Sequence, residues 1–453
     1  MGKYFGTDGV RGVANTELTP MMAYNIGAAL AYSMTKSLGR APKVCIGKDT
    51  RISGDMLESA LASGVTACGG DVYLLGVMPT PAVAWLSREE KMDAGVVISA
   101  SHNPFEHNGI KIFAGSGYKL DDAQEAEIEQ LMDLLPAEAL KNGAELGRIY
   151  DRKAEGNERY SRFLLDSAEG KKAEGMKILF DCANGASSHT AKLIFPELGA
   201  QCDFMACEPD GININNGCGS THMGKLREMV KNGDYMLGVA FDGDADRCLM
   251  CDENGNLIDG DDILALLSVY LKEQGKLKGG VVATIMSNMG LAAYLRPHGI
   301  EVKSTGVGDR LVLEEMRRSG WNIGGEQSGH VILSDNATTG DGQLTALQFI
   351  MMLREKGCLP SELTKGIFHY PQIMNNVPVP NSIKKQMATL PEIEALSKEI
   401  TDVFGGEGRI NIRPSGTEAL VRVMVEGSDA DKVAEMAEYA KNKVAEVAAK
   451  MAQ

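Results

Sequence analysis

Asp242, Asp244 and Asp246 follow an apolar run in YMLGVAFDGDADRCLMCDENG (235–255). Alternate side chains of an extended chain project the same way, so three carboxylates at this spacing can converge on one point. Their charges repel one another unless protons are taken up or a cation neutralises them. A hard divalent ion with oxygen ligands, Mg²⁺ for choice, meets that need. An EF-hand loop is the competing reading, with Glu253 in its last position. It fails because Arg247 stands where the sharp turn needs Gly, and because the upstream flank reads as strand. A solvated acidic turn is the plainer alternative, but the small Gly and Ala spacers after an apolar strand favour metal. Cys248 and Cys251 form a CxxC with no second pair, and i and i+3 face opposite sides of a strand, so they read as core thiols.

A nucleophile is offered by GVVISASHNPFEHNGIKIF (95–113). The VVIS run is a buried strand, and Pro104 ends it because proline cannot extend a ladder and disfavours helix at Asn103. Ser101 then sits on a polar turn at the end of a strand, where open α/β sheets bind ligands. A serine that only satisfies its own turn would look the same from this segment alone.

Two further segments carry recognition chemistry. TGVGDRLVLEEM (305–316) and GWNIGGEQSGHVIL (320–333) set Gly-flanked polar residues between apolar runs. Glu326, Ser328 and His330 offer acceptors, a hydroxyl and an imidazole suited to a carbohydrate, although His330 could equally be a satisfied turn histidine. In RINIRPSGTEALVRV (409–423), Arg413, Ser415, Gly416, Thr417 and Arg422 combine turn amides, two hydroxyls and two guanidiniums, the makings of a phosphate clamp. The rival there is a solvated hairpin loop, with Arg422 merely paired to a carboxylate. Motifs of P-loop NTPases, dinucleotide oxidoreductases, zinc proteases and serine esterases are absent from the sequence.

Taken in order with FGTDGVRG (5–12), the motifs ASHNP, DGDADR, GEQSGH and RPSGTE resemble the α-D-phosphohexomutase superfamily over essentially the whole chain. GGEQSGH (324–330), DCANGA (181–186) and NINNGCGSTH (213–222) are similar to the branch that acts on glucosamine phosphates. Members acting on mannose or glucose phosphates, the alternative, typically carry GEMSGH. The resemblance implies three related α/β domains with mixed sheets plus a C-terminal α+β domain around a central cleft. It implies that Ser101 is a phosphorylated nucleophile, with one Mg²⁺ per subunit held by Ser101, Asp242, Asp244 and Asp246. Arg11 and Arg247 would stabilise the transferring phosphoryl group, and Lys111 and His330 would be the acid/base candidates. Gly308, Glu326 and Ser328 would bind the sugar, and Arg413, Ser415, Gly416, Thr417 and Arg422 its distal phosphate. A glucosamine or glucose 1,6-bisphosphate would be the activator and a small hexosamine phosphate the substrate. The sequence is silent on oligomeric state, and a homodimer is left open.

The elements that must position these residues follow a repeating plan. A strand, a helical stretch and a returning strand occur at 44–77, 177–207 and 281–305, each with Gly before the return. These are βαβ units, which predict parallel pairing with helices on the sheet faces. After a Pro-bearing connector at 366–382, one helix is expected over 381–404, then a hairpin over 409–427 and an amphipathic terminal helix. Charged AEGNERYSRF (154–163) and DENGNLIDGDD (252–262) read as boundaries. The expected domains are 1–152 (phosphoserine loop), 153–254 (metal loop), 255–368 (sugar loop) and 369–453 (phosphate clamp).

Composition narrows the function classes. The 453 residues carry 46 Lys+Arg against 61 Asp+Glu, a net charge of −15, which argues against nucleic acid as a partner. No apolar run approaches the ~20 residues that span a bilayer, so no membrane association is expected. The N-terminus lacks a signal-peptide core, and nine scattered cysteines fit reduced thiols, so a cytoplasmic location is expected.

Overall fold

Short β-branched runs alternating with helical spacing have one efficient solution, a sheet with helices packed on its faces. The computed structural model describes residues 2–6, 8–387, 389–415 and 419–451, and it repeats that solution three times.

The first sheet contains β1 (Val10–Val13), β2 (Lys43–Lys48), β3 (Asp71–Val77), β4 (Ala94–Ile98), β5 (His107–Ala114) and β6 (Ile149–Asp151), in the order β1-β5-β4-β2-β3-β6. The second contains β7 (Lys177–Asp181), β8 (Gln201–Met205), β9 (Leu237–Phe241), β10 (Cys248–Asp252) and β11 (Leu257–Ile258), in the order β11-β10-β9-β7-β8. The third contains β12 (Val281–Thr284), β13 (Val302–Thr305), β14 (Ile323–Gly325) and β15 (Val331–Leu333), in the order β13-β12-β14-β15. One kernel recurs. The opening strand (β2, β7 or β12) lies between two parallel partners, and the outer of these turns back into an antiparallel strand (β5, β10 or β15). Mixed sheets result, as expected. Ser101 lies between β4 and β5, the aspartate trio between β9 and β10, and Glu326 to His330 between β14 and β15. The three chemically equipped loops thus occupy one topological position in three related sheets.

Local sequence explains how these sheets are covered. In the helix Pro20–Leu38, Pro20 opens the first turn, the Thr19 hydroxyl accepts from the Met22 amide at 3.2 Å, and Gly39 closes the end in the left-handed region. It packs on the helix Ser53–Ala67 at backbone contact. A Cβ on Gly64 would lie 2.1 Å from the Tyr24 oxygen, and one on Gly27 2.3 Å from the Leu61 oxygen. In the second sheet Phe180, Phe195, Phe204 and Phe241 stack, with Phe180 and Phe195 centroids 4.2 Å apart.

The C-terminal sheet is antiparallel, with order β16-β18-β17 for β16 (Gln372–Pro378), β17 (Gly408–Pro414) and β18 (Leu420–Gly427). Val421, Val423 and Val425 of its central strand pack on Val433, Ala437, Ala440 and Val444 of the terminal helix Ala430–Met451. Residues 285–301 and 366–453 make up one compact body, and residues 1–284 and 302–365 another.

Four expectations are corrected. The stretch 154–163 lies inside the helix Lys153–Ser167, because Gly156, Tyr160 and Leu164 bury one face of it. The middle of the 366–382 connector, Gln372–Pro378, is β16, an edge strand, where proline is tolerated at the end of a ladder. The single helix expected over 381–404 is two, Lys384–Met387 and Pro391–Val403, since Pro391 can begin a helix but not continue one. The crossover of the third βαβ unit belongs with the C-terminal body. There the Asn288 amide nitrogen donates to the Tyr370 oxygen at 2.9 Å, and the Met289 amide to Glu426 Oε1 at 2.7 Å.

Candidate active site

The β9–β10 loop brings its carboxylates together differently from the way an extended chain would. Residues 242–247 form a turn in which Ala245 is left-handed (φ 57°) and its amide donates to the Asp242 oxygen at 3.1 Å. The turn achieves the same end, with oxygens of Asp242, Asp244 and Asp246 within 4.8 Å of one another. All three side chains are buried. The loop is stacked on its own domain, where the Ala186 amide donates to the Gly243 oxygen at 2.8 Å and a Cβ on Gly185 would lie 2.3 Å from that oxygen.

From the first sheet, Ser101 reaches the trio directly. Its hydroxyl donates to Asp242 Oδ2 at 2.6 Å, and it is 2% exposed. Its backbone is left-handed (φ 53°), an uncommon state for a residue with a Cβ, which costs about 1–3 kcal/mol and persists only where the surroundings enforce it. His102 Nδ1 lies 3.3 Å from the same hydroxyl. Burial, with the Arg247 and Arg11 cations, pushes this imidazole down to about 4, so it is a neutral ring.

Cations gather around these acids despite the chain's negative charge. Lys111 Nζ lies 2.9 Å from Asp244 Oδ2, 3.1 Å from Asp8 Oδ2 and 3.8 Å from Asp246 Oδ2. Burial pushes its ammonium toward neutrality, and Asp244, Asp8 and Asp246 more than offset that, so Lys111 holds its proton. Arg11 pairs with Asp8, and Arg247 Nε lies 3.9 Å from Asp246 Oδ1. Lys119 bridges Asp8 and Asp309 at 2.6 Å to each.

The carboxylates respond unequally. Burial, then the charges of Asp246 and Asp244, pushes Asp242 well above the usual range. Burial pushes Asp244 up as well, but Lys111 and the Thr80 hydroxyl, 2.7 Å away, hold it below. Asp244 Oδ1 and Asp246 Oδ1 are buried with no hydrogen-bond partner among the described residues. Two orphan carboxylate oxygens facing a third acid are expensive without a cation, so this donor set fits a hard divalent metal.

His330, in the tight β14–β15 loop, sits with Nδ1 3.6 Å from Asp246 Oδ2. Burial pushes its imidazole down, whereas Asp246, Asp309 and Glu326 pull it up to about 9. The Gly340 amide, donating to Nε2 at 3.0 Å, opposes protonation at that atom, since an imidazolium has no lone pair to accept. Glu326 accepts from the Gly308 amide at 3.1 Å and from the Ser328 hydroxyl at 3.4 Å, so these three expected sugar contacts form one group.

In the C-terminal body, strand register sets Arg413 directly opposite Arg422. Like charges facing across an antiparallel pair are destabilising, which suits a bound anion. The Ser415 amide donates to the Leu420 oxygen at 2.9 Å, while Gly416 and Thr417 lie outside the described residues.

Sequence reading missed Asp8, Thr80, Lys119 and Asp309 as partners of the charged cluster, and Arg51 and Asn215 beneath the serine loop. Asp8 stood inside a motif already noticed, and Asp309 beside Gly308. Thr80 gave no signal, because it reaches Asp244 only through tertiary packing.

Comparison with known proteins agrees with this geometry. Four families match in succession: phosphoglucomutase/phosphomannomutase α/β/α domain I (residues 2–136), domain II (158–255), domain III (259–370) and the C-terminal domain (374–443). The fold is that of a Burkholderia thailandensis phosphoglucomutase/phosphomannomutase family protein (TM-score 0.80, 23% identity, 98% of this chain and 97% of that one). It is also that of an Aspergillus fumigatus N-acetylphosphoglucosamine mutase solved with GlcNAc-6P and magnesium (TM-score 0.72, 18% identity, 98% and 96%). The chain belongs to the phosphoglucomutase/phosphomannomutase family, the α-D-phosphohexomutases, and is an isomerase of the intramolecular phosphotransferase class. Within that family it is 51% identical to the phosphoglucosamine mutase of Ruminiclostridium cellulolyticum over 95% of this chain and 96% of the relative. It is 48% identical to that of Streptococcus mutans over 96% of each. The resemblance read from the motifs is thereby borne out. Among the described residues no helix is long and apolar enough to cross a membrane.

Proposed function

We propose that this chain interconverts glucosamine 6-phosphate and glucosamine 1-phosphate through a phosphoserine at Ser101 and a 1,6-bisphosphate intermediate. The observation that carries the reading is the 2.6 Å contact between the Ser101 hydroxyl and Asp242, made by loops of two different sheets. The substrate class rests on the glucosamine-type relatives and on the GGEQSGH segment.

Phosphoryl transfer needs positioning and charge neutralisation more than covalent invention by the protein. Asp242, Asp244, Asp246 and the Ser101 oxygen would hold one Mg²⁺, which when bound supplies positive charge against the phosphoryl oxygens. In the first half-reaction the serine O–P bond breaks as a bond forms to the free sugar hydroxyl, whose proton passes to a base while the released Ser101 oxygen takes up a proton. In the second, the reoriented bisphosphate returns its other phosphoryl group to Ser101, whose hydroxyl proton passes to a base, and the new sugar hydroxyl takes a proton. Lys111, held charged, acts as donor and as a fixed cation beside the transferring group. Arg11 and Arg247 add positive charge, and His330 is the remaining acid/base candidate. Glu326 and Ser328, with the Gly308 amide, face sugar hydroxyls, and the opposed Arg413 and Arg422, with Ser415, Gly416 and Thr417, take the distal phosphate.

Along the chain the four domains divide at residues 152, 254 and 368, with the crossover 285–301 of the third packed in the C-terminal body. A glucosamine or glucose 1,6-bisphosphate loads the serine, and the nine free thiols suit a reducing cytoplasm. In the deciding experiment, Ser101→Ala abolishes turnover while sugar-phosphate binding persists, and labelled phosphate recovered on any other residue defeats the assignment. A panel of glucosamine, glucose and mannose phosphates tests the substrate class, and preference for a non-amino hexose would overturn it.

A further inference from the structure

The serine loop is held from below by two side chains that touch none of the reacting atoms. The guanidinium of Arg51, just past β2, donates through Nη2 to the Ser101 oxygen at 2.9 Å and to the Asn103 oxygen at 2.8 Å. Its Nη1 donates to the His107 oxygen at 3.0 Å and also to the Pro104 oxygen. One cation therefore collects four carbonyls from a seven-residue stretch. It is aimed by Asp49, which accepts from Arg51 Nε at 2.8 Å and from the Ser99 hydroxyl at 2.6 Å. Ser99 Oγ in turn accepts from the Ser101 amide at 3.0 Å, so both ends of the Ser101 peptide geometry are fixed. Asp49, Arg51 and Ser99 are all buried, where a planar fork loses little entropy per bond.

The second side chain comes from the other domain. Asn215 Nδ2 donates to the same two oxygens, Ser101 at 2.9 Å and Asn103 at 3.1 Å. Asn215 is itself left-handed (φ 59°), and its amide donates to the Ala183 oxygen at 2.9 Å. Asp181 ties that support together by accepting from the Ala183 and Gly219 amides at 2.9 Å each. The DCANGA and NINNGCGSTH segments thus build a bracket whose tip is the Asn215 amide.

We propose that Arg51 and Asn215 are positioning residues that clamp the Ser101 and Asn103 carbonyls from two domains and so register the serine hydroxyl against the aspartate trio. The clamp enforces the left-handed Ser101 backbone, which directs the hydroxyl at Asp242. It also saturates two carbonyl oxygens that would otherwise be free to turn toward an incoming phosphate. Because Asn215 belongs to the sheet system that carries Asp242, the clamp keeps nucleophile and carboxylates in step. This proposal rests on the reading of Ser101 as the phosphorylated nucleophile.

The test compares Asn215→Gly, Asn215→Asp, Arg51→Lys and Ser101→Ala for kcat, KM and single-turnover transfer from the phosphoenzyme, with thermal midpoints as a check on folding. Glycine accommodates the left-handed backbone and removes the whole side chain, whose hydrogen bonds to the serine loop are those of Nδ2. Asn215→Gly and Arg51→Lys are each expected to lower kcat and the single-turnover rate about 10–100-fold with KM unchanged. Asn215→Asp, which sets acceptor oxygens against two carbonyls, is expected to fall further. Wild-type kcat in Asn215→Gly, or a loss confined to KM, would overturn the clamp. Should Arg51→Lys fail to fold, the two Asn215 variants decide alone. Turnover in Ser101→Ala would instead remove the nucleophile reading, an outcome separate from failure of the clamp.

Discussion

Gly243→Ala is the sharpest probe of how the two catalytic loops meet. Gly243 lies between Asp242 and Asp244, and a Cβ there would fall 2.5 Å from the Ser101 oxygen, 2.8 Å from Asn215 Nδ2 and 2.9 Å from Ile214 Cδ1. The Gly243 loop cannot recede, because its own oxygen is held by the Ala186 amide at 2.8 Å and backed by Gly185. The serine loop must therefore give. Restoring an ordinary contact of 3.4 Å from 2.5 Å requires about 0.9 Å of separation. Added to the 2.6 Å bond between the Ser101 hydroxyl and Asp242, that displacement breaks it. A misplacement of about 1 Å at reacting groups lowers the rate on the order of 10²-fold, or about 2.7 kcal/mol in the barrier. The overpacking itself destabilises the fold by about 1–3 kcal/mol. The assay is steady-state turnover of glucosamine 6-phosphate with the bisphosphate activator and Mg²⁺, alongside a thermal melt. A folded Gly243→Ala enzyme with wild-type kcat would refute the claim that Ser101 and Asp242 must stay in contact.

Asp244→Asn is expected to weaken Mg²⁺ dependence and phosphoryl transfer together, read as activity against Mg²⁺ after chelation; an unchanged titration would take Asp244 out of the metal site. Magnesium at about 100 times its Kd should raise folding stability by about 2.7 kcal/mol in the wild type and by less in Asp244→Asn, measured by denaturant unfolding. Glu129 accepts from the amides of Lys3, Tyr4 and Phe5 at 2.9, 2.6 and 2.7 Å. Burial pushes its carboxyl up, but these three donors hold it below the usual range. A depressed folded pKa contributes stability above the unfolded value, near 4.5, that is lost as pH falls through the folded value. Glu129→Gln should therefore lose on the order of 1–2 kcal/mol at neutral pH and little at acid pH, and a pH-independent difference would contradict the assignment. Gly64→Ala forces apart two helices whose backbones touch, so a loss of about 1–3 kcal/mol is expected with kcat unchanged; a melting point equal to wild type would deny the close approach.

Periodicity alone located the three βαβ units nearly to the residue, because β-branched runs and Gly-marked returns are local properties of the chain. Proline misled in two places for the same reason. Pro371, Pro378 and Pro380 suggested a connector, yet Gln372–Pro378 is an edge strand whose neighbour on one side supplies all the pairing it needs. Pro391 looked like a residue inside one helix and instead begins a second. The helix Lys153–Ser167 was hidden by its charged surface, since only its buried face at Gly156, Tyr160 and Leu164 shows what holds it.

Residue types and spacing were enough to nominate Ser101, the aspartate trio and His330, because nucleophiles, hard-metal ligands and titratable imidazoles have few chemical substitutes, whereas Lys111 and Arg247 entered only through the family resemblance of the motifs. What the linear order could not show is which of them meet. Ser101 and Asp242 are 141 positions apart, and Lys119 and Asp309 are 190 apart. The first contact joins the same loop of two repeats of one sheet plan, and the second joins a residue just past β5 to the start of the helix after β13. Partners such as Thr80, Arg51 and Asn215 acquire their roles only in the folded chain. A hydroxyl, a guanidinium or an amide is ordinary in sequence, and it becomes specific when burial removes water and leaves one neighbour to bond.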